Sequence, residues 1–260
     1  MLLPFSEHIE LVFVNIVLFL KTQTRIILKI LYIKVEMRIK YKKKIKRKKK
    51  LRTRILGFFH IGTVLKHKNR WKSIVFELTE SLNSGNLLEN TDLLTKVYLG
   101  TEQCETKNKL NNVKNISAGT DLGLYEGPAL RELWKACNET DEEFYVYYIH
   151  NKGVSYPPNT KSEPWRKNMA NAILVNWGKC ISILDKGEKT CGIMWRKSIK
   201  DPAHYSGNFW WARASHIRTL EKPKKKFGDR RYFEYWLSPT KKVVLKGYPL
   251  KPTGDGKGLK

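Results

Sequence analysis

Four short stretches carry side chains able to do chemistry. His150-Asn-Lys152-Gly153 sets a histidine and a lysine two residues apart, a pair suited to meeting an anion. Trp165-Arg166 opens a predicted helix, where free backbone amides and a guanidinium can hold a phosphate. His204-Tyr-Ser-Gly-Asn-Phe-Trp-Trp211 combines polar groups, a glycine turn and three adjacent aromatics. Arg230-Arg-Tyr-Phe-Glu-Tyr-Trp236 places an acid among bases and aromatic rings. Each stretch also has a plainer reading. Lys152 is then merely solvated, His150 caps a strand, and Trp210 and Trp211 are core residues on alternate faces of a strand. Chemistry is favoured because the stretches gather at loops where a site would lie.

Those loops need elements to position them. Ile55–Val64 reads as a buried strand, and Trp71, Ile74, Val75, Leu78 and Leu82 repeat at helical spacing before Asn83-Ser-Gly85. Leu93–Leu99 is a second strand, and residues 101–119 are polar and loop-like. Pro128 opens a helix over Ala129–Cys137, and Phe144–Ile149 is the strongest strand of the chain. A loop over Ser155–Pro164 leads to a helix over Trp165–Leu184, then a strand at Cys191–Trp195. Phe209–Leu220 reads as a strand or a helix. Strands separated by helices of this length predict an α/β domain with a largely parallel sheet. In such sheets ligands bind beyond the carboxyl ends of the strands, and that edge carries His150 and Lys152.

The chain has 260 residues, with 41% hydrophobic and 12% aromatic, enough for a sizeable core and too much for a disordered or collagen-like chain. Fifty Lys and Arg against 24 Asp and Glu give a formal charge of +26. Residues 34–54 supply nearly half of it, holding 13 bases against Glu36 alone. That block suits an anionic membrane surface or a nucleic acid, or is a low-complexity disordered extension. Residues 9–33 are apolar but interrupted by Lys21, Arg25 and Lys29, a poor signal anchor that would keep the body cytoplasmic and membrane-associated. The chain therefore divides into an extension over 1–56, a domain over 57–240 and a tail over 241–260. Cys104, Cys137, Cys180 and Cys191 form no C-x-x-C pair, which argues against a structural zinc site and for reduced thiols.

Several of these strings together resemble a known family. His60-Ile61 with Trp71-Lys72, Asp121-Leu-Gly-Leu-Tyr-Glu126, Tyr148-Ile-His-Asn-Lys-Gly-Val-Ser155, Trp165-Arg166 and His204-Tyr-Ser-Gly-Asn-Phe-Trp-Trp-Ala-Arg-Ala-Ser-His-Ile217 resemble a glycosyltransferase-like family of bacteria, giant viruses and some eukaryotes. That family is distantly similar to rhamnan-synthesis glycosyltransferases. Arg231, Glu234 and Trp236 look like its closing R-x-x-E-x-W element, and the resemblance covers roughly 58–240. It implies an α/β, GT-A-like single sheet and hexosyl or rhamnosyl transfer from a nucleotide-sugar donor to a glycan or polysaccharide acceptor.

The usual Asp-x-Asp metal signature has no counterpart at the right edge, since Asp141-Glu-Glu143 precedes its strand. His150 and Lys152 are therefore expected to meet the donor diphosphate, with Arg166 as a bidentate clamp. The alternative keeps a Mn2+ or Mg2+ ion, with His150 and Asp121 as ligands. Glu234 is the expected base, with Asp201 a poorer candidate. His204, grouped with Glu234 as catalytic, and Asn208 would hydrogen-bond hydroxyls. Trp210, Trp211 and Arg231 would contact the acceptor, and Asp121 and Glu126 the donor. Asp121 is equally well read as forming its own turn. Two other classes fit the sequence: a catalytically inactive carbohydrate-binding domain, and a nucleic-acid-binding protein acting through residues 34–54.

Overall fold

The computed structural model describes residues 32, 34–37, 53–64, 67, 70–101, 112–158, 160–198, 202–224 and 230–237. Thr53–Lys260 forms one compact unit, and Met1–Arg52 is a separate one. Residues 32 and 34–37 are helical. The expected tail, Asp201, Cys104 and most of the extension lie outside the described residues. Among the described residues no helix is long and apolar enough to cross a membrane.

The domain is built on a six-stranded sheet. β1 (Ile55–Thr63) lies at its centre, and all nine of its residues are buried. Such a continuous apolar run is what a strand covered on both faces requires. β2 (Leu93–Gly100) and β4 (Tyr145–His150) flank it, both parallel, and β3 (Val113–Ser117) adds a parallel edge. β8 (Trp210–Arg213) runs antiparallel to β4, and β5 (Thr190–Gly192) closes the other edge, giving the order β3-β2-β1-β4-β8-β5. The expected α/β architecture, a mostly parallel sheet flanked by helices, is what is observed.

Side chains of alternate residues divide into two cores. On one face Ile55, Phe59 and Ile61 meet Trp71, Ile74, Leu78 and Leu82 of α1 (Arg70–Ser84), with Leu87 and Leu88 of α2 (Leu87–Asn90). On the other, Leu56, Phe58, Val146 and Tyr148 meet α3 (Gly127–Asn138) through Ala129, Leu130 and Leu133. Pro128 sits in the first turn of α3, as its missing amide hydrogen allows.

The structure corrects the sequence reading at three places. Residues 101–119 are not all loop, because Val113–Ser117 pairs with β2 despite its polar Lys114 and Asn115. The single helix over Trp165–Leu184 is divided into α4 (Ser162–Ala170), a π-helical turn (Asn171–Val175) and α5 (Trp177–Asp185). The strand Cys191–Trp195 is also two pieces. Met194 turns at φ 54°, and β6 (Trp195–Arg196) then pairs with β7 (His204–Tyr205) in a sheet of its own. Phe209–Leu220 holds both alternatives in succession, β8 and then α6 (Ala214–Arg218).

Candidate functional site

Polar side chains converge where β1, β4 and β8 end together. His150 is the last residue of β4, and its register partner on β1 is His60. Side chains in register on parallel neighbours share a face, so the two imidazoles look the same way as Tyr148. β8 arrives from the opposite direction, and the turn before it delivers Gly207 and Asn208 to this edge. Gly207 holds φ 97°, a left-handed conformation natural to glycine, and its carbonyl accepts the Nε2 hydrogen of His150 at 2.9 Å. In a neutral ring that donation leaves Nδ1 as the lone-pair nitrogen.

Glu126 is the hub. It stands just before α3, yet its side chain makes no capping bond and turns into the site instead. One carboxylate oxygen accepts the Tyr148 hydroxyl at 2.9 Å and the Asn208 side-chain amide. The other lies 3.4 Å from His150 Nδ1. Asn208 is buried and fully engaged, since its carbonyl oxygen takes the Trp210 indole hydrogen at 2.8 Å. Two strained residues adjoin this hub. Tyr125, immediately before Glu126, holds φ 46° and ψ −131°, and Asn208 holds φ 57°. Backbone held this way costs about 1–3 kcal/mol at Tyr125 and persists only where surrounding contacts enforce it.

A charged rim lies beside the hub. Lys152 is placed with its ammonium 4.2 Å from the Trp165 ring centroid. Burial holds it below the usual lysine range, while Glu234 and Glu126 pull it back up. Burial, and then Lys152, push His150 down to about 3, and burial pushes His60 down to about 4. Both imidazoles are therefore neutral at pH 7, and His60 Nδ1 is buried without a partner. Glu234 belongs to α7 (Arg231–Tyr235), and both it and Arg230 act electrostatically on His150 and Lys152. His204 donates from Nδ1 to the Pro202 carbonyl, and its ring packs 4.8 Å from that of Tyr235, tying β7 to the helix of Glu234.

Thus His150, Lys152, Glu126, Asn208 and Glu234 gather at one edge, with His204 behind them. Other expected contacts are placed elsewhere. Trp210 and Trp211 are buried on opposite faces of β8. Trp210 stacks on Tyr148, and Trp211 on Trp177 with its indole hydrogen on the Ile173 carbonyl. Neither presents a face to a sugar, so their expected acceptor role gives way to the core reading. Arg166 is not a free phosphate clamp. Its guanidinium is bidentate to Glu77 at 3.0 and 2.8 Å and donates to the Lys152 carbonyl at 3.0 Å. Asp121 accepts from the Gly123 amide, the turn-forming alternative. Arg231 is exposed at the start of α7. Asp141-Glu-Glu143 lies at the opposite edge, where Glu142 pairs with Arg54 and Glu143 with Arg213 and Arg218.

Among the described residues no three His, Cys, Asp or Glu side chains are gathered to hold a metal ion. Nδ1 of His150 faces Glu126, while the Asp121 carboxylate accepts from the Gly123 amide, so the expected pairing of His150 with Asp121 around Mn2+ or Mg2+ is not formed among the described residues. Tyr148, His60 and Tyr125 all stand in the strings that carry the resemblance, yet the sequence assigned none of them a role. Tyr125 and Leu122 are exposed beside the hub, at 37% and 44%.

An α/β domain with a polar site on its carboxyl edge is the class these features define. The chain belongs to the family described as "Domain of unknown function (DUF8361)", whose family model matches residues 58–253. No curated protein matches it. Among solved structures it is similar to a 4-diphosphocytidyl-2C-methyl-D-erythritol synthase, 12% identical, over 78% of this chain and 94% of that one, at a TM-score of 0.37. The corresponding synthase of Anaerococcus prevotii is 13% identical over 74% and 86%, also at 0.37. HddC from Yersinia pseudotuberculosis is 12% identical over 74% and 88%, again at 0.37. This likeness is distant and assigns no activity to the chain.

Proposed function

We propose that the domain over residues 57–240 takes a nucleotide-sugar donor and passes its sugar to a hydroxyl of a glycan or polysaccharide. The observation that carries this reading is the placement of Lys152 beside two carboxylates, Glu234 and Glu126, at the carboxyl edge. In such a transfer the bond from the sugar's anomeric carbon to the diphosphate breaks as the acceptor oxygen bonds to that carbon. Negative charge grows on the departing diphosphate, where a fixed cation stabilises it, and Lys152 supplies one. The acceptor's proton goes to a carboxylate, a role this reading gives to Glu234 on the rim. Glu126 is held by Tyr148 and Asn208 and orients the floor of the site. Tyr125, with its exposed ring, takes over the flat contact expected of Trp210 and Trp211. The resemblance of the HNKG and SGNFWWA strings to glycosyltransferase-like proteins supports the same reading.

A thermal-shift screen of the full chain against UDP-, GDP- and dTDP-sugars, with and without manganese, tests it. Binding to the folded form alone raises the melting temperature. One nucleotide class should do so, and no response from a folded protein would sink the reading. In the responding case Glu234→Gln should cut turnover sharply and leave donor binding in place. Equal loss of both would mean a structural role for Glu234.

A further inference from the structure

Among the described residues no acid pairs with the buried guanidinium of Arg70. It is the first residue of α1, 8% exposed, and its Nε donates to the Gly153 carbonyl at 3.3 Å. Its Nη2 is buried with no hydrogen-bond partner. Glu77, two turns further along the same helix, is taken by Arg166. A buried charge is ordinarily paired, because leaving water without compensation costs several kcal/mol. The surroundings make this cation more exceptional. The first turn of α1 has no acidic residue and carries Lys72 besides Arg70. The helix dipole is positive at that end and favours an anion there.

The position in the fold points the same way. The chain leaves β1 towards β2 and β3 and returns as β4 on the other side of β1, so the strand order reverses between β1 and β4. Ligands of open α/β sheets bind in the crevice at that reversal, beyond the carboxyl ends. Arg70, which begins the helix after β1, bonds to the carbonyl of Gly153, next to Lys152 in the loop after β4. Two sources of positive potential therefore coincide at this fork, the Arg70 guanidinium and the amino end of a 15-residue helix, and the backbone bonded to Arg70 is that of the residue after Lys152. A fork of N–H donors matches a phosphate in two-point geometry.

We propose that Arg70, the first turn of α1 and Lys152 form a binding site for the diphosphate group of a ligand. As the seat of a sugar donor's diphosphate it rests on the reading above; as an anion site it can be tested without it. The probe is inorganic pyrophosphate at about 10 mM against the full chain, compared with sodium chloride of matched ionic strength. Pyrophosphate should raise the melting temperature of the wild type by roughly 3 °C beyond the salt control. Arg70→Met should abolish that rise and weaken pyrophosphate binding at least about tenfold by calorimetry, with Arg70→Lys intermediate. The ligand-free melting temperature of Arg70→Met should equal or exceed that of the wild type, because an unpaired buried charge has gone.

The proposal is overturned if pyrophosphate acts no differently from salt, or if Arg70→Met keeps the response. It is equally overturned if Arg70→Met melts far below the wild type without ligand, since Arg70 would then be a structural group. Pyrophosphate binding that depends on Arg70, with no nucleotide-sugar binding to the wild type, would uphold the anion site and remove the transferase reading alone.

Discussion

Arg166 and Arg70 are both buried, at 2% and 8% exposure, and both donate to backbone carbonyls of the same loop, Lys152 for one and Gly153 for the other. They differ in what answers their charge. Arg166 has the Glu77 carboxylate in a two-point grip, whereas Arg70 has a carbonyl and an orphaned nitrogen. The pair shows that burial alone does not make an arginine structural. The first fastens the loop after β4 to α1 and belongs to the folded state. The second holds charge in reserve for something that arrives from outside.

The comparison is broken most decisively at Arg166. Arg166→Met leaves Glu77, 27% exposed, without its partner, and should lower stability by about 3 kcal/mol in urea denaturation. Adding Glu77→Leu should bring stability back to within about 1 kcal/mol of the wild type, since a matched apolar pair replaces a matched ionic one. A single variant as stable as the wild type would erase the distinction between the two arginines.

Acid sharpens the contrast next, because His150 sits on the cation-rich side. Its folded value, about 3, and that of His60, about 4, lie below the ordinary 6.5 of an unfolded histidine. As pH falls from about 6.5 towards 4, the unfolded chain takes up protons that the folded chain refuses. Stability is full above that window and is lost within it, by about 1.4 kcal/mol per pH unit for each imidazole. Urea midpoints at pH 7 and 5 measure this, and His150→Asn should flatten the slope. Lys152→Gln should move the His150 transition upward, as it removes the largest charge acting against its protonation.

Glu126→Gln should have the smallest effect on stability, under about 1 kcal/mol. The Gln oxygen still accepts from Tyr148 and Asn208, and its NH2 donates to the bare Nδ1 of His150. A large loss by thermal melting would mean that the negative charge itself, and not the hydrogen bonds, holds the hub together.

Much of the scaffold was legible because long apolar runs leave few choices. β1 is buried along its length and β4 up to its last residue, His150, and no register with polar neighbours competes. β3 was missed because an edge strand bearing Lys114 and Asn115 has no such run to show. The π-helical turn was missed because Asn171–Val175 is as apolar as ordinary helix, and hydrogen-bond spacing leaves no mark on composition. At the site, the strings around His150 and Asn208 stood out as polar residues at strand ends, and the fold brings them to one edge through the bond from His150 to Gly207. The roles of Trp210 and Trp211 went the other way, because alternation places them on two buried faces. Arg70 gave no sequence signal at all. Whether an arginine is answered depends on where a carboxylate such as Glu77 points, and that is decided only in three dimensions.

Asn151 connects the two loops in another sense. Its backbone amide donates to the His60 carbonyl, and beyond that its side chain both accepts from the Gly62 amide and donates to the Gly62 carbonyl. A side-chain amide thus imitates one more peptide of the parallel ladder after the two backbones have begun to part. It works like the slider of a zip, fixing how far β1 and β4 stay joined and therefore how deep the fork between them can open. Its replacement by aspartate, which cannot donate, would let the zip run back by one tooth. The depth of the crevice is thus written in a single amide at its base.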